Sequence, residues 1–151
     1  MIDLEYEMTF TERIEGPLGP TIGTPSRLCW QITEATLVGP RITASLAMPG
    51  TDWIRVESDG TRRQDQRTQF LTSDGALILM RYDAALIRGG EKFSGALENG
   101  RETAFADQYM CMAPQFDVSS DAYTWLTQSL FIARGRLAGP RRIEYELYRI
   151  V

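Results

Sequence analysis

Hydrophobic and polar residues alternate along four segments of the chain. These segments lie within residues 2–10, 28–33, 42–48 and 142–147. Successive side chains of a β-strand point to opposite faces, so alternation indicates a strand with one buried and one solvated face. We therefore predict four such strands, and in the first we expect the hydrophobic residues from Ile2 to Phe10 to share the buried face.

Glycine-containing pairs separate these segments and the shorter strand-like runs between them. Asp59-Gly60 and Asp74-Gly75 are predicted hairpin turns, because glycine supplies the positive φ that tight turns require. Gly-Pro, Pro-Gly and Gly-Gly pairs predict further turns or loops at positions 39–40, 49–50, 89–90 and 139–140. We expect residues 89–100 to form a long exposed loop. The best helical candidate is one or two turns within residues 119–126, capped by Ser119 or Ser120.

Eight to ten strands without a strong amphipathic helix predict an all-β fold. An antiparallel sheet removes its exposed edges completely when it closes, which favours an up-and-down β-barrel of about 8–10 strands. A β-sandwich shares the same pattern and remains the alternative. No linker or internal repeat divides the 151 residues, so we expect a single domain over residues 1–151.

The composition and charge of the chain exclude several kinds of catalytic site and partner. The chain contains no histidine, which excludes histidine triads, imidazole bases and the common zinc sites, and we expect neither a metal nor another cofactor. A net charge of −4 disfavours nucleic acids and anionic membranes as partners. Two distant cysteines and a start without signal-peptide features indicate a cytoplasmic protein. A homo-oligomer such as a dimer is compatible with the barrel but not specified by the sequence.

Two charged residues are candidates for a catalytic site. Arg67 belongs to a run that is polar on both faces until Phe70; it could hold a substrate anion inside the barrel, or it could decorate an exposed edge strand. Asp52 shares strand parity with Ile54 and Val56 and should point towards the apolar side. A buried carboxyl group suits acid–base catalysis, although Asp52 could instead accept backbone hydrogen bonds in a turn.

Aromatic and sulfur side chains complete the candidate site. Tyr109 and Cys111 share one face of a predicted strand, where a buried Tyr109 phenol could exchange a proton with a ligand or simply belong to the core. Cys111 lacks a histidine to activate it as a nucleophile. Tyr123 and Trp125 lie in an acidic and hydroxyl-rich segment that could form the barrel mouth, with Trp125 alternatively plugging the barrel. Trp53 is expected to line an apolar wall with Trp125.

Several short motifs, taken in order, resemble the DUF3237 family, also catalogued as UPF0311. They cover nearly the whole chain and comprise Val38-Gly39-Pro40-Arg41, Pro49-Gly50-Thr51-Asp52-Trp53, Ser58-Asp59-Gly60, Asp65-Gln66-Arg67, Thr72-Ser73-Asp74-Gly75-Ala76-Leu77-Ile78, Tyr109-Met110-Cys111, Phe116-Asp117 and Tyr123-Thr124-Trp125-Leu126. The resemblance implies a small antiparallel β-barrel with a central pocket. It also implies metal-free lyase or isomerase-like chemistry on small aromatic molecules, similar to decarboxylation of a phenolic acid.

The chain departs from the family pattern at positions that concern the site. Glu34-Ala35 stands where the family usually has two glycines, which adds Glu34 as a candidate carboxylate close to the barrel. Tyr109-Met110-Cys111 replaces the usual Tyr-Phe-Arg, so one cation of the family's pocket is missing. We therefore do not expect this chain to share the substrate of family members that keep the usual residues.

Three hypotheses for function follow. The first is a cofactor-independent lyase, decarboxylase or isomerase in which Arg67 holds an anion while Tyr109 and Asp52 transfer protons to and from a small aromatic substrate. The second is a lipocalin-like barrel that binds a small molecule without chemistry. The third is a structural homo-oligomer whose barrel is filled by its own aromatic side chains. Convergence of Arg67, Tyr109 and Asp52 in an open cavity would favour the first.

Overall fold

The computed structural model describes the backbone of residues 1–22 and 27–151 and the side chains of residues 1–18 and 27–151. The described strands are β1 (Leu4–Ile22), β2 (Arg27–Gly39), β3 (Ile42–Val56), β4 (Arg62–Thr72), β5 (Leu77–Tyr82), β6 (Ala85–Arg88), β7 (Tyr109–Met112), β8 (Gln115–Val118), β9 (Phe131–Leu137) and β10 (Arg142–Ile150). One α-helix, α1 (Gly90–Asn99), follows β6, and 3₁₀ turns cover Phe105–Asp107 and Asp121–Leu126.

The strands close into an antiparallel barrel with eight strand positions. β5 and β6 are two parts of one barrel strand, interrupted at residues 83–84, and both pair with β4. β7 and β8 form another strand in the same way, interrupted at residues 113–114. Each barrel strand pairs with the next one in the sequence, and β10 returns to pair with β1. The predicted up-and-down barrel is confirmed, and closure excludes the β-sandwich.

Side chains from alternate strand positions fill the interior. Phe10 of β1 stacks against Tyr145 of β10, with ring centroids 5.9 Å apart, and meets Phe70 of β4 edge-on at the same distance. Gly135 of β9 lies opposite Tyr145 in the ladder. A Cβ atom on Gly135 would come within 2.5 Å of the Tyr145 ring, so the missing side chain makes room for this central aromatic layer.

The two ends of the barrel are covered differently. At one end, the 3₁₀ turn Asp121–Leu126 buries Tyr123 and Leu126, and the Ser120 hydroxyl accepts a hydrogen bond from the Ala122 backbone N–H, as the sequence predicts. At the other end, α1 buries Phe93 and Ala96 where β4 begins and β6 ends. The predicted loop over residues 89–100 is therefore wrong. None of the described helices is long and apolar enough to span a membrane.

Strand irregularities change which residues are buried. A register shift between Tyr6 and Met8 reverses the alternation of β1, so Leu4 and Tyr6 are exposed while Met8 is buried. The prediction of one continuous buried face from Ile2 to Phe10 is wrong for this reason. Pro49-Gly50 does not form a turn either. It lies inside β3, between register shifts in the pairing with β4, where the missing proline N–H costs no ladder hydrogen bond.

Candidate functional site

Seven polar side chains lie together in the barrel interior, each no more than 2% exposed. Polar side chains at this depth are unusual, because removal from water costs free energy unless they find partners. We call this group the interior polar cluster. Its members are Glu12, Asp52, Gln64, Gln66, Thr68, Tyr82 and Tyr145.

Strand register brings the cluster together. Asp52 of β3 pairs with Gln66 of β4, which pairs in turn with Tyr82 of β5, so these side chains form one row around the barrel wall. Glu12 enters from β1 between its ladder partners Ala35 and Ile143. Because alternate residues of a strand face the same side, the inward positions of β4 place both glutamines in the interior.

Glu12 is held by an amide relay. The Gln66 Nε2 group donates to Glu12 Oε2 at 2.8 Å and to Thr68 Oγ1 at 3.0 Å. The Tyr82 hydroxyl donates to Oε1 of the same glutamine. The carboxyl group, the amide and the phenol therefore form a chain of hydrogen bonds that crosses the interior from β1 to β5.

Asp52 is held by a second relay of the same composition. Gln64 Nε2 donates to Asp52 Oδ2 at 2.9 Å, and the Tyr145 hydroxyl donates to Gln64 Oε1 at 3.3 Å. In both relays the amide N–H groups face a carboxyl group and the amide oxygen faces a phenol. The orientation of each glutamine is thus fixed by its two partners.

Burial raises the pKa values of both acids. Loss of hydration, aided by the charge of Asp52, raises the pKa of Glu12 to about 8. Loss of hydration likewise raises the pKa of Asp52 to about 7, against the opposing effect of the Gln64 hydrogen bond. Among the described residues, no arginine or lysine forms an ion pair with either acid. The two groups interact, so their protons belong to the pair as a whole.

One oxygen of each carboxyl group remains without a partner. Within the described part of the chain, Glu12 Oε1 and Asp52 Oδ1 are buried and accept or donate no hydrogen bond. The pKa values of Tyr82 and Tyr145 are raised well above the ordinary phenol value, chiefly by burial and then by the charge of Glu12. The phenols therefore stay protonated, while the carboxyl groups can gain or lose a proton near neutral pH.

The described residues do not assemble a metal site. No group of three or more cysteine, aspartate and glutamate side chains converges among residues 1–18 and 27–151. Glu12 and Asp52 are bound through glutamine amides instead. The chemistry that this arrangement supports directly is proton transfer between paired carboxyl groups.

Of the residues that the sequence assigns to catalysis, Asp52 alone lies in the interior polar cluster. Arg67 points outwards, and the prediction that it enters the barrel is wrong, because its neighbours Gln66 and Thr68 occupy the inward positions. Nor is β4 an exposed edge strand, since it pairs with β3 on one side and with β5 and β6 on the other. The alternative explanation is therefore right that Arg67 is exposed and wrong that it lies on an edge strand.

Tyr109 and Cys111 lie on the outer face of the barrel. Tyr109 is 54% exposed, because Met110 and Met112 take the inward positions of β7, so the expected buried phenol is wrong. Both residues line a surface groove of about 640 Å³ together with Leu86. They do not converge with Asp52, so the catalytic site that the sequence predicts from Arg67, Tyr109 and Asp52 is not formed.

The remaining predicted site residues also lie outside the interior. Trp53 is half exposed on the outer face, and Glu34 is exposed and forms an ion pair with Arg142. Tyr123 is buried in the 3₁₀ turn, where its hydroxyl donates to Asp74 at 2.8 Å. Trp125 is half-buried and packs edge-on against Phe131, as expected for an end plug. The Arg41 guanidinium lies 3.7 Å from the Trp125 ring centre.

The sequence contains a signal for Glu12 and the two glutamines, which were not among the predicted site residues. Glu12 lies two residues from Phe10 and two from Ile14, so it is an acid in an otherwise apolar row. Counting back in steps of two from Phe70 places Gln66 and Gln64 inside and Arg67 outside. Parity within a strand, applied to polar residues as well as apolar ones, would have identified the site.

Comparison with solved structures shows the same fold in distant proteins. A conserved protein of unknown function from Rhodopseudomonas palustris has a TM-score of 0.89 and 21% identity, covering 100% of this chain and 99% of that one. A β-barrel-like protein from Acinetobacter baumannii AYE has a TM-score of 0.80 and 26% identity, with coverage of 100% and 97%. A structure described as an enzyme from Penicillium herquei has a TM-score of 0.67 and 22% identity, with coverage of 99% and 95%.

Sequence comparison gives the family. No functionally curated protein matches the chain. The family described as "Protein of unknown function (DUF3237)" matches residues 3–150, nearly the entire sequence. The barrel and its strand order agree with the resemblance seen in the sequence motifs. The chain therefore belongs to the DUF3237 family.

Proposed function

We propose that this protein is a cofactor-independent acid–base enzyme that acts on a small, partly apolar molecule through two acids of the interior polar cluster, Glu12 and Asp52. One observation carries the proposal: the buried carboxyl groups of Glu12 and Asp52, each with raised pKa and each with one oxygen that lacks a hydrogen-bond partner. Perturbed ionisable groups without compensating charge occur preferentially at functional sites. The unpartnered oxygens are the positions from which a proton would pass to a substrate.

The two acids have different roles near neutral pH. Both raised pKa values allow the pair to hold one proton near neutral pH, so that one carboxyl group is ionised while the other is protonated. We assign the general base to Asp52 and the general acid to Glu12. Gln64 and Gln66 hold the carboxyl groups in place, and the neutral phenols behind them donate to the glutamine oxygens.

Among the reaction types implied by the family resemblance, isomerisation fits the cluster better than decarboxylation. In an isomerisation, Asp52 takes a proton from carbon while Glu12 donates one to another atom, so protons and electrons balance without a cofactor. Decarboxylation would bring a substrate carboxylate beside two acids with no cation among their described partners, which electrostatics opposes.

Hydrogen–deuterium exchange at carbon tests this proposal, because it reports proton transfer even when no net product accumulates. Phenylacetone and related aromatic ketones are incubated with the protein in D₂O, and loss of the α-hydrogen signal is followed by proton NMR. We expect exchange above the buffer rate, and a fall of about 10²–10⁴-fold in Glu12→Gln and in Asp52→Asn.

The matched control is Glu98→Gln, which changes an exposed carboxylate on α1. Its exchange rate should equal that of the unchanged protein. Exchange that stays at the buffer rate for the whole panel, or that is equally fast in Glu12→Gln and Asp52→Asn, would contradict the proposal.

A second candidate function is ligand binding without chemistry. The outer groove around Tyr109 and a further cavity at the α1 end are both large enough for a small molecule, and neither is lined by Glu12 or Asp52. A binding barrel predicts that Glu12→Gln leaves ligand affinity unchanged and that no member of the ketone panel exchanges. Calorimetric titration beside the exchange assay separates the two functions.

A further inference from the structure

A cavity of about 850 Å³ lies at the end of the barrel next to α1. This volume is within the usual range of small-molecule sites. The start of β4, the end of β6, the first turns of α1 and the 3₁₀ turn Phe105–Asp107 contribute its walls. The cavity is separate from the interior polar cluster, although Arg62 in its wall is only two residues before Gln64 on the same strand.

Arg62 is the unusual residue in this wall. It pairs with Ile87 in the ladder and occupies the inward parity of β4, so its side chain is half-buried. In the described part of the chain, no carboxylate lies within 4 Å of its guanidinium, whereas the adjacent Arg63 points outwards and pairs with Glu57 at 3.1 Å. Burial lowers the pKa of Arg62, and no neighbouring charge offsets that effect. A desolvated cation without a counter-ion is costly, which indicates a partner supplied by a ligand.

The surroundings of Arg62 combine apolar and electropositive features. Its guanidinium lies 5.8 Å from the centre of the Phe93 ring, and the buried side chains of Phe93 and Ile87 both line the cavity. The N-terminal residues Gly90 and Glu91 of α1 line it too, and Gly89 provides no side-chain cap for the helix. The backbone N–H groups of that first turn add partial positive charge on the same side.

The acidic residues of the cavity limit the charge of its ligand. Asp59, Glu91 and Asp107 also line the wall, and hydrogen bonds lower the pKa values of Asp59 and Asp107 and keep them ionised. Two arginines, Arg62 and the exposed Arg88, line the same wall, so the lining has one more acid than cations and compensates a monoanion better than a dianion such as phosphate. A monoanionic carboxylate matches the planar guanidinium fork and carries less charge towards the acids.

We propose that this cavity binds a small aromatic carboxylate, with Arg62 pairing to the carboxylate and Phe93 and Ile87 contacting the ring. The site does not depend on the proposed reaction in the interior, because binding here requires neither Glu12 nor Asp52.

Isothermal titration with benzoate tests the site, with benzamide as the uncharged analogue of equal shape and inorganic phosphate as a small anion without a ring. We expect saturable benzoate binding that is at least about 10-fold tighter than binding of benzamide or phosphate. Arg62→Gln should reduce benzoate affinity to the benzamide level, and Arg62→Lys should recover only part of it. Arg63→Gln, the outward neighbour, should bind benzoate as the unchanged protein does.

Thermal unfolding without ligand provides the second readout. Because Arg62 is desolvated and unpaired, Arg62→Gln should melt at the same temperature as the unchanged protein or higher. A lower melting temperature would assign Arg62 a structural role against Phe93 and overturn the proposal. Equal affinities for benzoate and benzamide, tighter binding of phosphate than of benzoate, equal losses in Arg62→Gln and Arg63→Gln, or no saturable benzoate binding would overturn it as well.

Discussion

Single residues in the interior show how the barrel accommodates polar groups. Glu12 interrupts the apolar row of β1, and a carboxyl group at 1% exposure is tolerated there because Gln66 donates to it and because its raised pKa keeps it largely neutral. Gly135 has the complementary role, since its missing side chain leaves space for the Tyr145 ring. The position of Tyr145, and through it the relay to Asp52, depends on that glycine.

Gly135→Ala should therefore destabilise the protein. The new methyl group would lie 2.5 Å from Tyr145 Cε1 and 3.0 Å from Met110 Cγ, both in a packed interior. Overpacking of this kind typically costs about 1–3 kcal/mol. Urea denaturation gives the free energy of unfolding. In the background Tyr145→Leu the same substitution should cost less, and an equal cost in both backgrounds would contradict the proposed contact.

At the scale of elements, alternation predicted strands well where one face is apolar throughout. β10 is the clearest example, because Ile143, Tyr145 and Leu147 are all buried as expected. β4 was misjudged because its inward positions are polar from Gln64 to Thr68, so hydrophobicity alone could not distinguish its faces. Asp52 was predicted inside from its apolar neighbours, whereas the glutamines that hold it could be found only by counting strand parity.

α1 was missed for a different physical reason. The segment contains four glycines between residues 89 and 100, and glycine is normally a poor helix former. Two buried contacts, from Phe93 and Ala96, hold the helix against the barrel end, and Gly100 ends it in the left-handed conformation at φ 63°. Tertiary packing outweighs local propensity here, which a single sequence does not reveal.

Gly95→Ala should accordingly stabilise the protein. Gly95 lies inside α1, and the nearest atom to an added Cβ is an Arg101 guanidinium nitrogen at 3.7 Å, which is ordinary contact. Alanine in a helix interior is favoured over glycine by about 0.5–1 kcal/mol. The melting temperature should rise. Gly100→Ala is the matched comparison and should lower it, because φ is positive there and Pro140 lies 3.2 Å from the new atom.

At the scale of the whole molecule, the closed barrel keeps two acids in an interior of low dielectric constant. Their raised pKa values mean that folding favours the protonated forms. Carboxylates outside the interior, such as Asp74 and Asp107, have lowered pKa values, so folding favours their ionised forms. Those groups lose their stabilising hydrogen bonds only in acid, below the ordinary carboxylate pKa of about 4. The two effects therefore operate in separate pH ranges.

The interior acids should make the protein less stable as the pH rises from about 5 to about 8.5. In this range the folded state retains protons on Glu12 and Asp52, whose pKa values are about 8 and 7. The unfolded chain releases the same protons near the ordinary pKa values of 4.5 and 3.8. The free energy of unfolding falls with pH wherever the folded state binds more protons. A pKa difference of one unit corresponds to roughly 1.4 kcal/mol. Because the two acids titrate as one interacting pair, we expect the free energy of unfolding to fall by roughly 2–5 kcal/mol over this range.

Urea unfolding at half-unit pH intervals measures this profile directly. Glu12→Gln removes one titrating group while keeping its shape, so its profile should be flatter and should lie above the others at the alkaline end. Glu98→Gln, on the exposed face of α1, should reproduce the original slope. A flat profile in the unchanged protein would mean that both interior acids ionise freely in the folded state. The barrel would then hold them as ordinary carboxylates, and the basis for assigning acid–base chemistry to the pair would be removed.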